Sequence, residues 1–342
     1  MSTPGLVRLC LVSLVTAVLV VLGLSGNVFG TIKQLDRGTL HFEKLLEIGD
    51  KSTIGRIEDA WVLDSGELYI LDNGFNKIHR FSPDGEYVGA VGREGNGPGE
   101  FSYPMSIAVG NDGKIFIGDM YGKVIVIQPD GTPWNDDFVS RSGRPMRDIT
   151  IDREGNLYFS KIDLMEQKLI HKYSPEGELL SSFGDSYAVG SDIDTRVESV
   201  YAGAKIAYCS TDEILFLQMA LPMVKIFDLS GKLRNSVDIW SDILPDVPEP
   251  KVHGGSITFT STASGFVIDD LESGRFITEI ALPNENGRTL VHEVYDLANR
   301  KVYSRSTKVS RLLCAGKNNS VYMVDEEEDG FIIVKYKLRF EK

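Results

Sequence analysis

A short structural unit recurs six times along this 342-residue chain. Each copy joins a polar turn to an apolar run rich in β-branched and aromatic residues, a pattern typical of a buried strand. Recurrence at a spacing of about 40–50 residues indicates a repeat fold. The copies are DSGELYILD (64–72), NDGKIFIGD (111–119), REGNLYFSK (153–161), TDEILFLQM (211–219), the weaker TASGFVIDD (262–270) and KNNSVYMVD (317–325).

A second pattern follows the first four runs and places a turn after another strand. Proline presets φ, aspartate bonds its own backbone, and glycine supplies a positive φ, so these segments predict hairpin tips. They are HRFSPDG (79–85), VIQPDG (126–131), HKYSPEG (171–177) and IFDLSG (226–231). Each unit therefore predicts four antiparallel strands, A to D. Six such units predict an all-β fold, a six-bladed β-propeller of four-stranded antiparallel blades.

The two ends of the chain predict how the ring closes. The sixth unit supplies three strands and then stops, whereas residues 42–49 precede the first strand A and resemble the outer strand at 86–92. We expect this N-terminal strand to complete the last blade, which removes an open sheet edge. Residues 40–341 then form a single propeller domain. One residue marks strand A in each unit: it lies four positions before the turn glycine, or before the residue that replaces that glycine. The markers are Val62, Val109, Ile151, Tyr208, Thr260 and Ala315.

Residues 1–30 predict export. Arg8 is the single charged side chain in this segment, and the apolar run Leu9–Leu24 follows it. Its length lies between that of a cleaved signal peptide and that of a membrane-spanning helix, so both fates stay open. Val28 and Gly30 favour cleavage before Thr31. In either case the domain is extracytoplasmic, whether periplasmic, secreted or anchored, and meets a membrane only through an uncleaved N-terminal segment.

Composition narrows the class of partner and the source of stability. The 36 Lys and Arg residues against 49 Asp and Glu give a net charge of −13, which argues against a nucleic-acid partner. A hydrophobic fraction of 42% is that of a globular protein. Beyond the export segment Cys209 and Cys314 remain, too few for a disulfide framework, and their apolar neighbours predict small core residues.

Residues 68–109, LYILDNGFNKIHRFSPDGEYVGAVGREGNGPGEFSYPMSIAV, resemble the NHL repeat. The whole of residues 40–340 resembles the bacterial extracytoplasmic six-bladed propellers of the NHL and TolB-like type. The resemblance implies the fold more strongly than an activity, because such propellers include binding scaffolds, lactonases and lyases.

The predicted site lies at the mouth of the central channel, on the face that carries the B-to-C and D-to-A loops. Strand A positions four before the markers predict a ring there: Glu58, Met105, Arg147, Ala204, Ser256 and Arg311. We expect Arg311 to pair with Glu58, and Arg147 to lie beside Asp148 across the opening. The alternatives are a solvated rim, or a pocket in which an arginine grips a small polar or anionic ligand. The glycine-rich connector at 92–100 adds Arg93 as a rim residue, or is purely structural.

A second ring is predicted where the B strands end. Its members are Asp72, Asp119, Lys161, Gln218, Asp270 and Asp325. Carboxylates suit Ca²⁺ or Mg²⁺, although aspartate also forms turns at strand ends. A resemblance to gluconolactonase-like propellers implies a first-blade glutamate as a metal ligand, and Glu58 lies in that blade without the accompanying Gly-Pro. No cofactor is predicted; the alternative is Ca²⁺ or another divalent cation held by Glu58, Asp72, Asp119 and Asp325.

The sequence contains no HExxH, GxSxG or Walker motif. We therefore predict an exported, non-catalytic binding or scaffold protein that presents its loop face and channel mouth to a protein, peptide or glycan. The alternative is a metal-dependent lactonase- or lyase-like enzyme with its site at the central channel.

Overall fold

The computed structural model describes the chain from residue 31 onward as β-strands joined by turns. The described residues are 31–32, 35–49, 54–134, 138, 147–163, 168–185, 204–218, 223–239, 251–253, 256–258, 264–285, 287–307, 310–327 and 330–342. The export segment, residues 1–30, lies outside them. Every regular secondary-structure element within the described residues is a β-strand, so the predicted all-β class is confirmed. This part of the chain contains no helix long and apolar enough to cross a membrane.

The strands follow one another without an intervening helix in the described residues. In chain order they are β1 (Thr31–Ile32), β2 (Asp36–Ile48), β3 (Ile57–Val62), β4 (Leu68–Asp72), β5 (Lys77–Phe81), β6 (Tyr87–Val91), β7 (Pro104–Val109), β8 (Ile115–Asp119), β9 (Val124–Ile127), β10 (Asp148–Ile151), β11 (Leu157–Asp163), β12 (Lys168–Tyr173), β13 (Leu179–Asp185), β14 (Ala204–Cys209), β15 (Glu213–Gln218), β16 (Met223–Asp228), β17 (Leu233–Asp238), β18 (Lys251–His253), β19 (Ser256–Thr258), β20 (Ser264–Asp270), β21 (Arg275–Asn284), β22 (Gly287–Asp296), β23 (Lys301–Thr307), β24 (Ser310–Gly316), β25 (Ser320–Glu327) and β26 (Gly330–Glu341).

These strands form six blades around a central channel. Blade 1 is β3-β4-β5-β6, blade 3 is β10-β11-β12-β13, blade 4 is β14-β15-β16-β17 and blade 5 is β20-β21-β22-β23. Blade 2 is β7-β8-β9, and the chain after β9 stays beside it through an isolated bridge between Ile127 and Pro133. The innermost strands β3, β7, β10, β14, β20 and β24 contact one another in this order, and β24 contacts β3. The ring is therefore closed.

The predicted hairpin tips are formed as the turn chemistry requires. In blade 1, Gly85 N donates to Ser82 O (2.9 Å) and Ser82 N donates to Glu86 O (2.8 Å). Gly85 has a φ of 84°, a conformation that costs glycine little, and the register shifts by one residue between Arg80 and Phe81. The Pro-Asp-Gly segments thus end strand C and start strand D with a bulge that increases the twist.

Apolar side chains join each blade to its neighbours. Each of the six blade interfaces encloses one cluster of buried residues from both facing sheets. Between blades 6 and 1, for example, Tyr322 packs with Leu68 and Ile70. The cysteines Cys209 and Cys314 are buried and free within two of these clusters, as small core residues.

The N-terminal segment closes the last blade, as predicted. Strand β2 pairs antiparallel with β26 from Thr39 opposite Glu341 to Ile48 opposite Ile333. Blade 6 is therefore β24-β25-β26-β2. Two further pairings were not predicted: the start of β2 pairs parallel with β23 of blade 5, and β1 pairs parallel with β17 of blade 4. One segment thus covers the outer edges of three successive blades.

The predicted phase of blade 5 is wrong. The run at 264–270 was predicted as strand B but is the innermost strand β20, so Asp270 ends strand A instead. Ser256, predicted for the channel ring, belongs to the separate β18–β19 hairpin, and the marker Thr260 lies outside the described residues. The true A-to-B turn is centred on Glu272, Ser273 and Gly274, all with positive φ. The sequence pattern did not identify this turn because its first two positive-φ residues are not glycines. The Ser264-Gly265 pair resembled a turn and was taken for it.

The closing strand offers a matched pair of leucines for a stability test. Leu40 is fully buried, whereas Leu45 on the same strand is 51% exposed. Leu40→Ala should lower the free energy of unfolding by about 2–5 kcal/mol, because it leaves a cavity between blades 5 and 6. Leu45→Ala should change it by less than about 0.5 kcal/mol. Urea unfolding measures both, and equal costs would contradict the docking of β2.

Candidate functional site

The central channel holds a cavity of ≈ 540 Å³ walled by the innermost strands of all six blades. Two faces bound the ring: the loop face, which carries the B-to-C turns and the links between blades, and the turn face, which carries the A-to-B turns. The cavity lining extends to the turn face, where every blade contributes. The turn-face residues include Asp64, Asn111, Arg153, Ser210, Glu272 and Lys317. The same cavity is also lined by Glu58, Asp148 and Arg311, three residues of the predicted site at the loop-face mouth.

Three aspartates on alternate blades use their carboxylates to tie neighbouring blades together. Asp59 Oδ2 accepts a hydrogen bond from Ile107 N (2.9 Å), and Asp269 Oδ2 accepts one from Ala315 N (2.7 Å). Asp148 Oδ2 accepts one from Ile206 N (2.9 Å). Each carboxylate satisfies a backbone donor of the next blade that the ladder leaves unpaired. Asp148 was a predicted site residue, whereas Asp59 and Asp269 were missed.

Lys205 offsets part of the negative charge in this cavity. Its Nζ lies 3.4 Å from Asp148 Oδ1. Burial raises the pKa of the Asp148 carboxyl to about 6, against the lowering effect of the Lys205 charge. Burial likewise raises the pKa of Asp59, and that of Asp269 to about 7. Burial alone would lower the pKa of Lys205, but the Asp148 and Asp59 carboxylates reverse this and raise it. Burial thus moves the titration of the Asp148 and Asp269 carboxyls from their ordinary acidic range toward neutral pH.

The predicted channel-mouth residues are only partly brought together. Glu58 Oε2 accepts from Arg56 Nη2 (3.2 Å) and from Asn73 Nδ2 (3.1 Å), so the expected pair with Arg311 is not formed. Arg311 Nη2 instead donates to the backbone O of Ile57 (3.5 Å), across the boundary between blades 6 and 1. Glu58 pairs instead with Arg56, the residue that precedes β3.

Two more predicted rim residues and the glycine-rich connector take local roles. Met105 lies half-buried on β7, and Arg147 is exposed just before β10. Arg93 Nε donates to Glu100 Oε1 (2.7 Å), while Glu100 Oε2 accepts from Gly97 N (2.9 Å). The connector at 92–100 therefore closes on itself, which is the structural alternative for this segment.

Of the strand-end aspartates predicted as metal ligands, Asp72 and Asp119 accept backbone hydrogen bonds in loops, and Asp325 bonds a side chain of the next strand. Asp72 accepts hydrogen bonds from the backbone N–H groups of four residues and from His79 Nε2 (3.1 Å). Asp119 accepts from Tyr121 N (2.9 Å) and Lys123 N (2.7 Å), and Asp325 from the hydroxyl of Tyr336. Among the described residues, no three His, Cys, Asp or Glu side chains are grouped to hold a metal ion. The divalent-cation site stays a prediction.

These ordered loops display hydrophobic side chains that the sequence reasoning missed. Four of them, here called the loop-face patch, are Phe75 (56% exposed), Tyr103 (56%), Met120 (39%) and Tyr121 (60%). The rings of Tyr103 and Tyr121 meet edge to face with centroids 6.2 Å apart. The signal was present in the sequence: Phe75 and Tyr121 each follow a strand-ending aspartate within three positions, where turns usually carry polar residues.

Backbone contacts fix the loop-face patch across two blades. Asn73 Nδ2 of blade 1 donates to Pro104 O (3.3 Å), and Met120 N of blade 2 donates to Tyr103 O (3.1 Å). Tyr103 has a φ of 53°. A bulky residue in the left-handed region is strained, and such strain concentrates at functional positions.

Comparisons with known proteins support the architecture. A family model described as a six-bladed β-propeller matches residues 44–133. A protein described as exported, from Bacteroides fragilis, has a TM-score of 0.61 at 12% identity over 90% of this chain and 99% of its own. A duf4221 family member from Bacteroides vulgatus has a TM-score of 0.61 at 10% identity, with the same coverage. The chain is a six-bladed β-propeller.

At these identities the likeness shows the fold alone. A streptogramin B lyase structure has a TM-score of 0.49 at 13% identity, over 88% of this chain and 98% of its own. Among curated proteins, none matches this sequence. The closer relationship to NHL and TolB-like propellers stays a prediction.

The raised pKa of Asp269 predicts a pH-dependent stability. The folded chain holds this proton with a pKa of about 7, against an ordinary value of 3.8. The stability it contributes is therefore full below about pH 4 and lost as the pH rises toward 7. Asparagine cannot ionise, so the Asp269→Asn variant should not lose this stability. Its unfolding midpoint, measured relative to that of the wild type, should therefore be at least about 2 °C higher at about pH 8 than at about pH 5. The exposed Asp84→Asn should gain nothing, and equal gains would contradict the burial effect.

The positive φ of Tyr103 predicts a reversed order of glycine and alanine variants. Glycine ordinarily destabilises relative to alanine, but in the left-handed region alanine carries the penalty. Tyr103→Gly should therefore be more stable than Tyr103→Ala by about 1 kcal/mol. At Tyr121, which is not among the positive-φ residues of the described chain, the ordinary order should hold. Chemical denaturation of the four variants measures this, and alanine ahead of glycine at both positions would refute the strain.

Proposed function

We propose that this chain is an exported β-propeller that binds a partner on its loop face and catalyses no reaction. The observation that carries the proposal is the loop-face patch of Phe75, Tyr103, Met120 and Tyr121. All four side chains are exposed at loops, and exposed hydrophobic patches and loop residues are frequent features of binding sites. Tyrosine is suited to such surfaces because it offers a large rigid ring and a polar tip at low cost in side-chain entropy.

The patch is preorganised, which favours binding. Asp72 and Asp119 hold the two B-to-C loops through backbone hydrogen bonds, so few degrees of freedom are lost when a partner docks. Tyr103 keeps an unfavourable backbone conformation that displays its ring next to Tyr121. Strain retained at an exposed position supports a role for that side chain outside the fold.

The channel favours a structural over a catalytic use of its carboxylates. Asp59, Asp148 and Asp269 each accept a backbone hydrogen bond from the next blade, which fixes the carboxyl groups in place. The alternative, a metal-dependent lactonase- or lyase-like enzyme, requires one bound ion per chain. Elemental mass spectrometry of the purified protein, with Glu58→Ala as comparison, decides between the two.

Export rests on the N-terminal segment and is part of the proposal. Residues 1–30 combine one positive charge with an uncharged apolar run, the pattern of a targeting segment. A structural neighbour is described as exported, which agrees with this location without establishing it. We place the propeller outside the cytoplasm, as a binding or scaffold component with a protein, peptide or glycan partner.

Patch variants test the docking surface. The protein should be retained by at least one probe in a panel of immobilised peptides and polysaccharides, and Tyr121→Ala should weaken that retention about tenfold or more, as expected of a binding hot spot. Leu180→Ala, which removes an exposed leucine from β13 at the outer edge of blade 3, should leave retention unchanged. Retention that Tyr121→Ala leaves intact would refute docking on the patch.

A further inference from the structure

We infer that the loop-face patch binds an uncharged polysaccharide. The inference rests on the proposed docking function and names the chemistry of the partner. It follows from three properties of the patch: its rings, the pairing of charges beside it, and the occupation of its backbone donors. The rings suit a sugar, the paired charges disfavour an ionic polymer, and the occupied donors disfavour an extended peptide.

Two ion pairs lie in the segments that carry the patch. Arg56 pairs with Glu58 (3.2 Å), and Arg93 pairs with Glu100 (2.7 Å). The carboxylate of Asp72 is buried and engaged by backbone donors. Binding surfaces match the potential of their partners, and charges that are already paired or buried favour an ionic polymer less than free charges would. The net charge of −13 on the chain further disfavours acidic polysaccharides.

The backbone of the patch is not available to a peptide. Extended peptides gain affinity from main-chain hydrogen bonds to a sheet edge or an open loop. Here the N–H groups of Gly74 and Phe75 donate to Asp72, that of Tyr121 donates to Asp119, and that of Met120 donates to Tyr103 O. These four N–H groups are occupied, so the patch offers a partner its side chains.

Those side chains suit a sugar ring. A pyranose has a face of C–H groups that can pack on an aromatic ring and a rim of hydroxyls that form hydrogen bonds. Tyr103 and Tyr121 offer both elements, because each exposed ring ends in a phenol hydroxyl. Their edge-to-face arrangement gives two differently oriented surfaces, and Phe75 and Met120 are exposed in the B-to-C loops of blades 1 and 2. An uncharged chain of sugars can use several of these contacts at once.

Retention of the purified full-chain protein on immobilised polysaccharides tests the inference. The probes are cellulose, chitin, xylan and starch as uncharged polymers, alginate as an acidic polymer, and a library of extended peptides. We expect retention on at least one uncharged polymer, unchanged when the salt concentration is raised tenfold, because no ion pair is involved. Tyr121→Ala should raise the dissociation constant about tenfold or more, and Leu180→Ala should not.

Four results would overturn the inference, and they separate it from the docking proposal. Retention of peptides alone, weakened by Tyr121→Ala, would exclude the polysaccharide and keep the docking surface. Retention on alginate alone, abolished by salt, would exclude the uncharged class. No retention on any uncharged polymer would refute the inference outright. Retention on a polysaccharide that Tyr121→Ala and Tyr103→Gly both leave intact would refute both proposals. Thermal unfolding of each variant shows that it is folded.

Discussion

Apolar packing between neighbouring blades is the interaction on which the rest of this structure depends. A four-stranded sheet with two apolar faces has no core of its own, so each blade must bury both faces against others. In this ring every blade interface encloses its own cluster of buried side chains. Each blade therefore contributes to two clusters, and unfolding of any one blade would expose both of them to solvent. The central channel exists because the innermost strands cannot converge further.

A closed ring of sheets creates a second problem at its circumference, where the outermost strands have open edges. Here the N-terminal segment contributes to the solution for three blades, since β1 lies on β17 and β2 lies on both β23 and β26. The closing strand therefore acts as more than the fourth member of blade 6. Together with β1 it links the last three blades in the chain from outside, while the apolar clusters link them from within. The weakest repeat in the sequence, blade 5, is among the blades that receive this support.

The sequence predicted the fold because its information is periodic. Turn glycines and alternating apolar runs recur in phase, and a closing strand was recognisable from its likeness to residues 86–92. It predicted blade 5 poorly because inner strands are buried on both faces, so that strands A and B have similar composition. It predicted the site in part. Asp148 and Arg311 do line the channel, but their partners depend on distances between blades, which no local pattern encodes. The loop-face patch was missed because no aromatic residue in the turns was considered as a site residue.

In this propeller the aspartates that suggested a chemical site hold the backbone in place, and aromatic residues of the kind expected in the core are exposed on the loops. Aspartates at strand ends and in the channel suggest chemistry, yet Asp72, Asp119 and Asp59 hold backbone N–H groups that would otherwise be unpaired. Because these carboxylates fix the loops, the loops can display Tyr103 and Tyr121 without collapsing onto the core. An exposed tyrosine in a strained conformation persists only if its surroundings enforce it. The buried polar network and the exposed rings are thus two parts of one arrangement, in which hydrogen bonds make the loops rigid enough to hold aromatic rings in solvent.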